Sequence, residues 1–83
     1  PVKRVLKHIR VSDATKDCTI TLTSNKNVNI YWGDGESDLD VSGTKKTVSH
    51  TYKDNGDYFI IIAGCVDEIT DFATNAIIVW NKL

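Results

Sequence analysis

The feature that most constrains the fold is a two-residue alternation of apolar and polar side chains, which recurs in short runs along the chain. Residues 18–23 and 28–32 both alternate, so that in each run one set of side chains faces the same way. No long segment carries apolar residues at the three- and four-residue spacing of an amphipathic helix, and β-branched residues are abundant. The pattern therefore predicts an all-β fold.

The alternating runs are separated by segments rich in turn-forming residues, at 12–17, 24–27 and 53–57. Residues 36–45 are polar and include Ser42-Gly43, so we expect a loop there. Short strands at this spacing are typical of sandwiches and barrels. We expect about seven strands, at residues 2–11, 18–23, 28–32, 47–52, 58–63, 66–70 and 76–80.

The length and the charge of the chain limit the classes of protein to which it can belong. A chain of 83 residues supports one hydrophobic core, so we expect a single domain over residues 1–83. Ten basic and eleven acidic side chains give a net charge of −1, without the basic excess of a nucleic-acid binder. No apolar run reaches membrane-spanning length, so direct membrane insertion is not expected. The chain starts at Pro1 and contains no Met, which favours a segment of a longer protein.

The two cysteines, Cys18 and Cys65, could be bridged or free. They are not accompanied by a Cys-x-x-Cys pair or a histidine cluster, so a structural zinc site is not expected. If Tyr58, Ile60 and Ile62 face the core, alternation places Cys65 on the opposite face, which favours free thiols. No cofactor is expected.

Two motifs follow one another along the chain. Residues 32–35 read Trp-Gly-Asp-Gly, and residues 50–52 read His-Thr-Tyr, followed by Gly-x-Tyr at 56–58 and an apolar strand. Together they resemble the PKD (polycystic kidney disease) domain family, over residues 28–62. The variant with Trp directly before Gly-Asp-Gly is similar to modules of bacterial surface proteins. The resemblance implies an immunoglobulin-like β-sandwich in an extracellular or cell-surface protein.

The first motif has a structural interpretation in its own right. Trp32 ends an inward-facing strand and can bury about 150–250 Å² of aromatic surface. Gly33 and Gly35 permit positive φ and therefore a tight reversal. Asp34 lies between them and can accept hydrogen bonds from backbone N–H groups of the turn.

The second motif is expected to support the first. We expect His50 to bond to the Gly-Asp-Gly loop, with Tyr52 completing the His-Thr-Tyr motif. Gly56 is expected at a left-handed turn position. Tyr58 is expected to bury its ring and return its hydroxyl to the backbone, as a tyrosine corner does.

These roles leave no catalytic residue, and we do not expect an enzyme. Ser49, His50 and Asp34 could be drawn as a triad, and Asp34 with Asp54 as a carboxylate pair. Neither set has the context that catalysis requires, such as a nucleophile at a sharp strand-to-helix turn.

Four acidic residues fall at alternate positions and imitate the opening of a calcium-binding loop. They are Asp34, Glu36, Asp38 and Asp40. An EF-hand is excluded, because its sixth place, normally glycine, is Leu39 and its twelfth place, normally glutamate, is Lys45. A weak surface calcium site is the alternative to a solvated acidic loop, which we prefer.

The apolar run at residues 58–63 does not alternate, so its second face is either covered or available to a partner. Tyr31, Phe59 and Ile61 are predicted to point outward. We therefore expect a non-catalytic interaction or spacer module that contacts neighbouring domains or another protein. The alternative is a carbohydrate-binding accessory module of a secreted hydrolase, which would present Tyr31, Phe59 and Trp80 to a glycan.

Overall fold

The computed structural model describes residues 3–80, and no α-helix is found among them. The predicted all-β fold is confirmed. Two 3-10 turns, Asp13–Thr15 and Val66–Glu68, lie between strands. No helix in this range is long and apolar enough to cross a membrane. The strands are β1 Arg4–Arg10, β2 Asp17–Tyr31, β3 Ser37–Thr51, β4 Gly56–Gly64, β5 Ile69–Thr74 and β6 Ile77–Trp80.

All strand pairs are antiparallel, and the sheet order is β3-β2-β4-β1-β6, with β5 also paired to β2. The long strand β2 has different neighbours along its length. Its first half pairs with β5 from Ile20 to Ser24, and its second half pairs with β4 from Val28 to Tyr31. The sheet therefore divides near residues 24–28.

The core is one cluster that draws on both halves of β2. Each aliphatic side chain buried in this way contributes roughly 1.5–3 kcal/mol relative to exposure. A single buried cluster in an all-β chain is consistent with a small β-sandwich. Its buried residues are Leu6, Cys18, Ile20, Leu22, Val28, Ile30, Trp32, Val41, Tyr52, Ile60, Ile62 and Val66.

The structure has six strands within residues 3–80, where about seven were expected, because the second and third predicted strands are one. The turn predicted at 24–27 is a register irregularity inside β2. The hydroxyl of the buried residue Ser24 donates to the Lys26 carbonyl at 2.6 Å. The polar side chain thus stabilises a local distortion of the strand, and the chain does not reverse.

The predicted loop at 36–45 was wrong, because most of it belongs to β3. Ser37 pairs with Tyr31 and Val41 with Val28, and two residues of β3, Asp40 and Lys45, take positive φ values of 56° and 50°. The strand lies at an edge of the sheet, where hydrogen bonds to β2 hold it without an alternating apolar pattern. The prediction of a short strand at 66–70 is also wrong in part. Val66–Glu68 form a 3-10 turn, and the strand, β5, begins at Ile69.

Both cysteines carry free thiols in the structure. Cys18 is buried on β2, and burial raises the pKa of its thiol to about 11. Cys65 follows the end of β4 and is partly buried, and its backbone N–H donates to the Asn27 carbonyl at 3.1 Å.

Candidate functional site

The Trp-Gly-Asp-Gly segment forms a tight turn between β2 and β3. The N–H of Trp32 donates to the Glu36 carbonyl at 3.0 Å, and Asp34 Oδ1 accepts from the Glu36 N–H at 3.1 Å. Gly33 and Gly35 have φ values of 89° and 95°, which side-chain-bearing residues rarely adopt. The turn therefore depends on both glycines and on the carboxylate between them.

Gly33 also lies against the backbone of β4. A Cβ atom built on Gly33 would lie 2.4 Å from the Phe59 carbonyl oxygen, whereas one on Gly35 meets no atom within 4 Å. The first glycine is thus required by a close approach as well as by its φ angle. The turn therefore packs directly against β4, the strand that carries the outward-facing Phe59.

His50, on β3, joins the turn to the core. Its Nε2 lies 2.7 Å from Asp34 Oδ2, and its ring stacks on Trp32 with centroids 4.9 Å apart and planes 9° apart. Its side chain is only 9% exposed. The Trp32 Nε1–H donates to Asp38 Oδ2 at 2.8 Å, so the buried indole has a polar partner.

These contacts determine the protonation of Asp34. Burial of the carboxylate raises its pKa, but hydrogen bonds from His50 and from the Glu36 N–H lower it more, so the pKa lies below its ordinary value. Asp34 is therefore an ionised acceptor at neutral pH, held by a side chain and by the backbone.

The contacting rings of four residues form an aromatic cluster, Trp32, His50, Tyr52 and Tyr58. Tyr52 lies at its centre and is almost completely buried. Its hydroxyl donates to the Trp32 carbonyl at 2.7 Å, and burial raises the pKa of this hydroxyl. Its ring stacks on Tyr58 at 4.0 Å between centroids and meets the edge of His50 at 4.8 Å. Tyr58, which is partly buried, donates its hydroxyl to the Asp54 carbonyl at 2.6 Å.

One further member of this cluster, His8 on β1, was not singled out from the sequence. It is buried, its ring stacks on Tyr52 at 5.2 Å between centroids, and its Nε2 lies 2.7 Å from the Thr15 carbonyl. Alternation on β1 would have indicated it, because His8 lies two residues after the inward-facing Leu6.

Gly56 has a positive φ, as expected, of 156°, which residues with a side chain rarely adopt. It is the first residue of β4, where it pairs with Arg10, and does not lie within the turn itself. The preceding residues make the turn, and Gly56 already belongs to the β1–β4 ladder.

The four alternating acidic residues are not gathered around a common point. In the described part of the chain, no group of three or more His, Cys, Asp and Glu side chains is arranged to hold a metal ion. Asp34 is bonded to His50 and Asp38 to Trp32, while the N–H of Asp40 donates to Asn29 Oδ1 at 3.0 Å.

The residues drawn as a triad do not converge either. Ser49 precedes His50 on β3 and therefore points to the opposite face of the strand. Its hydroxyl lies 3.5 Å from the hydroxyl of Thr19 on β2. His50 contacts the rings of Trp32 and Tyr52, whereas Asp34 lies at the protein surface.

The residues predicted to point outward form one surface, which we call the outer face and define as Tyr31, Phe59 and Ile61. Tyr31 on β2 is directly opposite Ile61 on β4, and Phe59 lies two residues before Ile61 on the same side. The three side chains are 44%, 53% and 39% exposed, respectively. The Nζ of Lys7 lies 5.6 Å from the centroid of the Phe59 ring. The side chain of Trp80 lies outside the described part of the structure.

Comparison of the chain with protein-family models, with curated proteins and with solved structures found no match. The geometry of the aromatic cluster and of the outer face is therefore the basis for a functional proposal.

Proposed function

We propose that this chain is a non-catalytic interaction or spacer module of a larger extracellular or cell-surface protein. In this proposal it is an immunoglobulin-like sandwich of the PKD type that positions neighbouring domains and contacts them, or another protein, through its outer face. The observation that supports this proposal most directly is the exposure of three large apolar side chains on the adjacent strands β2 and β4.

The residues of the two motifs contact one another, which supports a structural role for them. The His50 side chain is hydrogen-bonded to Asp34 and stacked on Trp32, and the Tyr52 hydroxyl is bonded to the Trp32 carbonyl. These side chains make their contacts with one another and with the backbone of the turn. The motifs therefore serve to connect β2, β3 and β4 beneath the outer face.

The composition of the outer face supports protein contact. The Phe59 ring, the Ile61 side chain and the Tyr31 phenol lie together on this face. Beside them, Lys7 forms an ion pair with Asp57 at 3.5 Å. An apolar centre bordered by charged groups is typical of protein–protein interfaces, where Tyr and Phe are enriched. The exposed Phe59 ring is the side chain expected to contribute most to binding.

The test uses the domains that flank this segment in its parent polypeptide, expressed separately and titrated with this chain in sedimentation-velocity experiments. We expect association that Phe59→Ser weakens by about tenfold or more, because a buried aromatic contact contributes at least about 1.4 kcal/mol. Val11→Ser, which changes an exposed residue beyond β1, is the matched control and should bind as wild type does. Association unchanged by Phe59→Ser would contradict the proposal.

The second candidate is a carbohydrate-binding accessory module of a secreted hydrolase. It is favoured by one observation, the exposure of Tyr31 and Phe59 on the same side of the sheet, since aromatic rings can stack on sugar faces. Binding on a glycan array that is lost in Tyr31→Ala would support it. A blank array for wild type, or a signal that survives this change, would contradict it.

A further inference from the structure

Asn55 and Gly56 form the only Asn-Gly pair in the sequence, and the other five asparagines are each followed by a residue with a side chain. Asn55 is exposed in the segment between β3 and β4, and Gly56 is the first residue of β4. The backbone nitrogen after an asparagine can attack the side-chain carbonyl carbon of that asparagine and close a five-membered ring. The approach is least hindered when the second residue has no Cβ atom, so this pair is the most reactive of its kind in the chain.

Arg10, on β1, contacts the group that would be attacked. Its Nη1–H donates to Asn55 Oδ1 at 2.6 Å. A guanidinium has donors and no acceptor, so the atom that faces it is the amide oxygen, and the NH2 group points elsewhere. A charged donor at this oxygen makes the carbon atom of the amide more electrophilic and stabilises the negative charge that develops on the oxygen during attack.

The fold holds this charge in place. Arg10 is directly opposite Gly56 in the β1–β4 ladder, and its side chain is only 13% exposed. Asp13 Oδ1 lies 3.9 Å from Nη2 of Arg10, but the Asp13 side chain is 88% exposed, so this ion pair is weak. The guanidinium therefore remains available to the Asn55 amide.

We propose that Asn55 is a site of spontaneous deamidation, promoted by Arg10. The Gly56 nitrogen gives up its proton to solvent and bonds to Asn55 Cγ, while the bond from Cγ to Nδ2 breaks. Nδ2 takes up a proton and leaves as ammonia, so a succinimide ring remains. Water, the only other reactant, then opens the ring. Its attack at Cγ gives aspartate, and its attack at the backbone carbonyl carbon gives isoaspartate.

Two other residues provide comparisons within the chain. Asp34 also precedes a glycine, but it is an ionised carboxylate and therefore a poor electrophile. Asn75 is exposed, but both ends of its amide are held, Oδ1 by the Thr19 N–H at 2.9 Å and Nδ2 by the Asp17 carbonyl at 3.0 Å. We expect both residues to stay unchanged while Asn55 reacts.

The first test is incubation of the folded whole chain at neutral pH, followed by peptide mapping with mass spectrometry. The mass gain that accompanies replacement of NH2 by OH should accumulate at Asn55 and not at the other five asparagines. Asn55→Gln is the control and should remove this signal, because its longer side chain does not close the five-membered ring. Conversion of Asn55 no faster than that of the other asparagines would overturn the proposal.

The second test measures the contribution of Arg10. Arg10→Gln should slow conversion of Asn55 by about tenfold, the scale of one charge-assisted hydrogen bond. Arg10→Lys, which keeps the charge and a donor, should restore part of the rate. Lys53→Gln removes the same charge from an exposed position two residues before Asn55, and this matched control should react as wild type does. In urea-unfolded chains all these proteins should react at one rate, because Arg10 is no longer held at Asn55.

The products of wild type give a readout that does not depend on the folding of any variant. Arg10 remains bonded to the oxygen on Cγ when the ring has closed, so it should direct water to that carbon. Folded wild type should therefore yield a larger proportion of aspartate than the urea-unfolded chain, as measured by chromatography against synthetic peptides that carry each product. An equal proportion in both states, or a folded Arg10→Gln variant that reacts as fast as wild type, would reject the role of Arg10.

Discussion

Gly33 and Gly35 show at the residue scale how one turn imposes two different requirements. Both residues have φ near +90°, so both avoid strain that a Cβ atom would introduce. Only Gly33 lies against the backbone of a neighbouring strand, at the Phe59 carbonyl. Gly35 is therefore required only for its backbone conformation. Gly33 is required for its backbone conformation and because a Cβ atom would clash with β4.

The two alanine variants should separate these requirements. Gly35→Ala should lower the free energy of unfolding by about 1–2 kcal/mol, through backbone strain alone. Gly33→Ala should lower it clearly more, because its Cβ must also displace the β4 carbonyl oxygen. Equilibrium denaturation in urea measures both values. Equal losses would show that the close approach to Phe59 contributes nothing.

The Asp34 carboxylate provides a pH dependence with a definite sign. Its pKa is lower in the folded chain than in the unfolded one, so its stabilising effect is present above the unfolded pKa and is lost as pH falls through the folded pKa. Wild type should therefore be more stable than Asp34→Asn at pH 7, and the difference should shrink below about pH 4. Urea denaturation of both proteins at a series of pH values measures the difference. A difference that is constant with pH would contradict this assignment.

At the scale of the element, β2 is one strand with two sets of neighbours. It pairs with β5 before the irregularity near residue 24 and with β4 after it, while β3 follows it on the other side. Such bulges bend a strand and increase its twist. One strand thereby pairs with β5 over its first half and with β4 over its second half.

Ser24 should be important for this bend. Its hydroxyl donates to the Lys26 carbonyl, and a hydrogen bond of this kind contributes about 0.5–1.5 kcal/mol. We expect Ser24→Ala to reduce the free energy of unfolding by about this amount and to speed hydrogen exchange at residues 24–28. Ser37→Ala, which alters an exposed serine at the start of β3, is the control and should have little effect. Unchanged stability and exchange in Ser24→Ala would show that the bend does not depend on this hydroxyl.

At the scale of the whole molecule, the aromatic cluster and the aliphatic core are continuous. Trp32 and Tyr52 belong to the same buried cluster as Ile20 and Leu22 of the other branch. A small domain with a single core is expected to unfold in one cooperative step. Cys18, which is fully buried in that cluster, offers a probe of this cooperativity.

The thiol of Cys18 should react only when the whole core opens. Burial denies reagents access and raises its pKa to about 11, so little reactive thiolate exists at neutral pH. In a Cys65→Ala background, the rate of maleimide labelling should follow the free energy of unfolding as urea is added. Labelling in about 8 M urea, which unfolds most small domains, gives the reference rate. Fast labelling under native conditions would show that the core opens locally around Cys18.

Local patterns in the sequence determined the all-β class and much of the core. Alternation placed Ile20 and Leu22 on one face of their strand and Ile30 inward, and all three are buried, because side-chain direction along a strand follows from position. The outward orientation of Phe59 followed from the same rule. Turn chemistry located the reversal at residues 32–35, since glycine and aspartate favour tight turns wherever they lie.

The formation of β3 and the position of His8 were decided by tertiary contacts, which local sequence patterns do not contain. The edge strand β3 is polar and irregular, and it forms because β2 offers backbone donors and acceptors that are indifferent to side-chain type. His8 entered the aromatic cluster because the pairing of β1 with β4 carried it to Tyr52. Alternation is a property of neighbouring residues, whereas strand order depends on contacts between residues far apart in the chain.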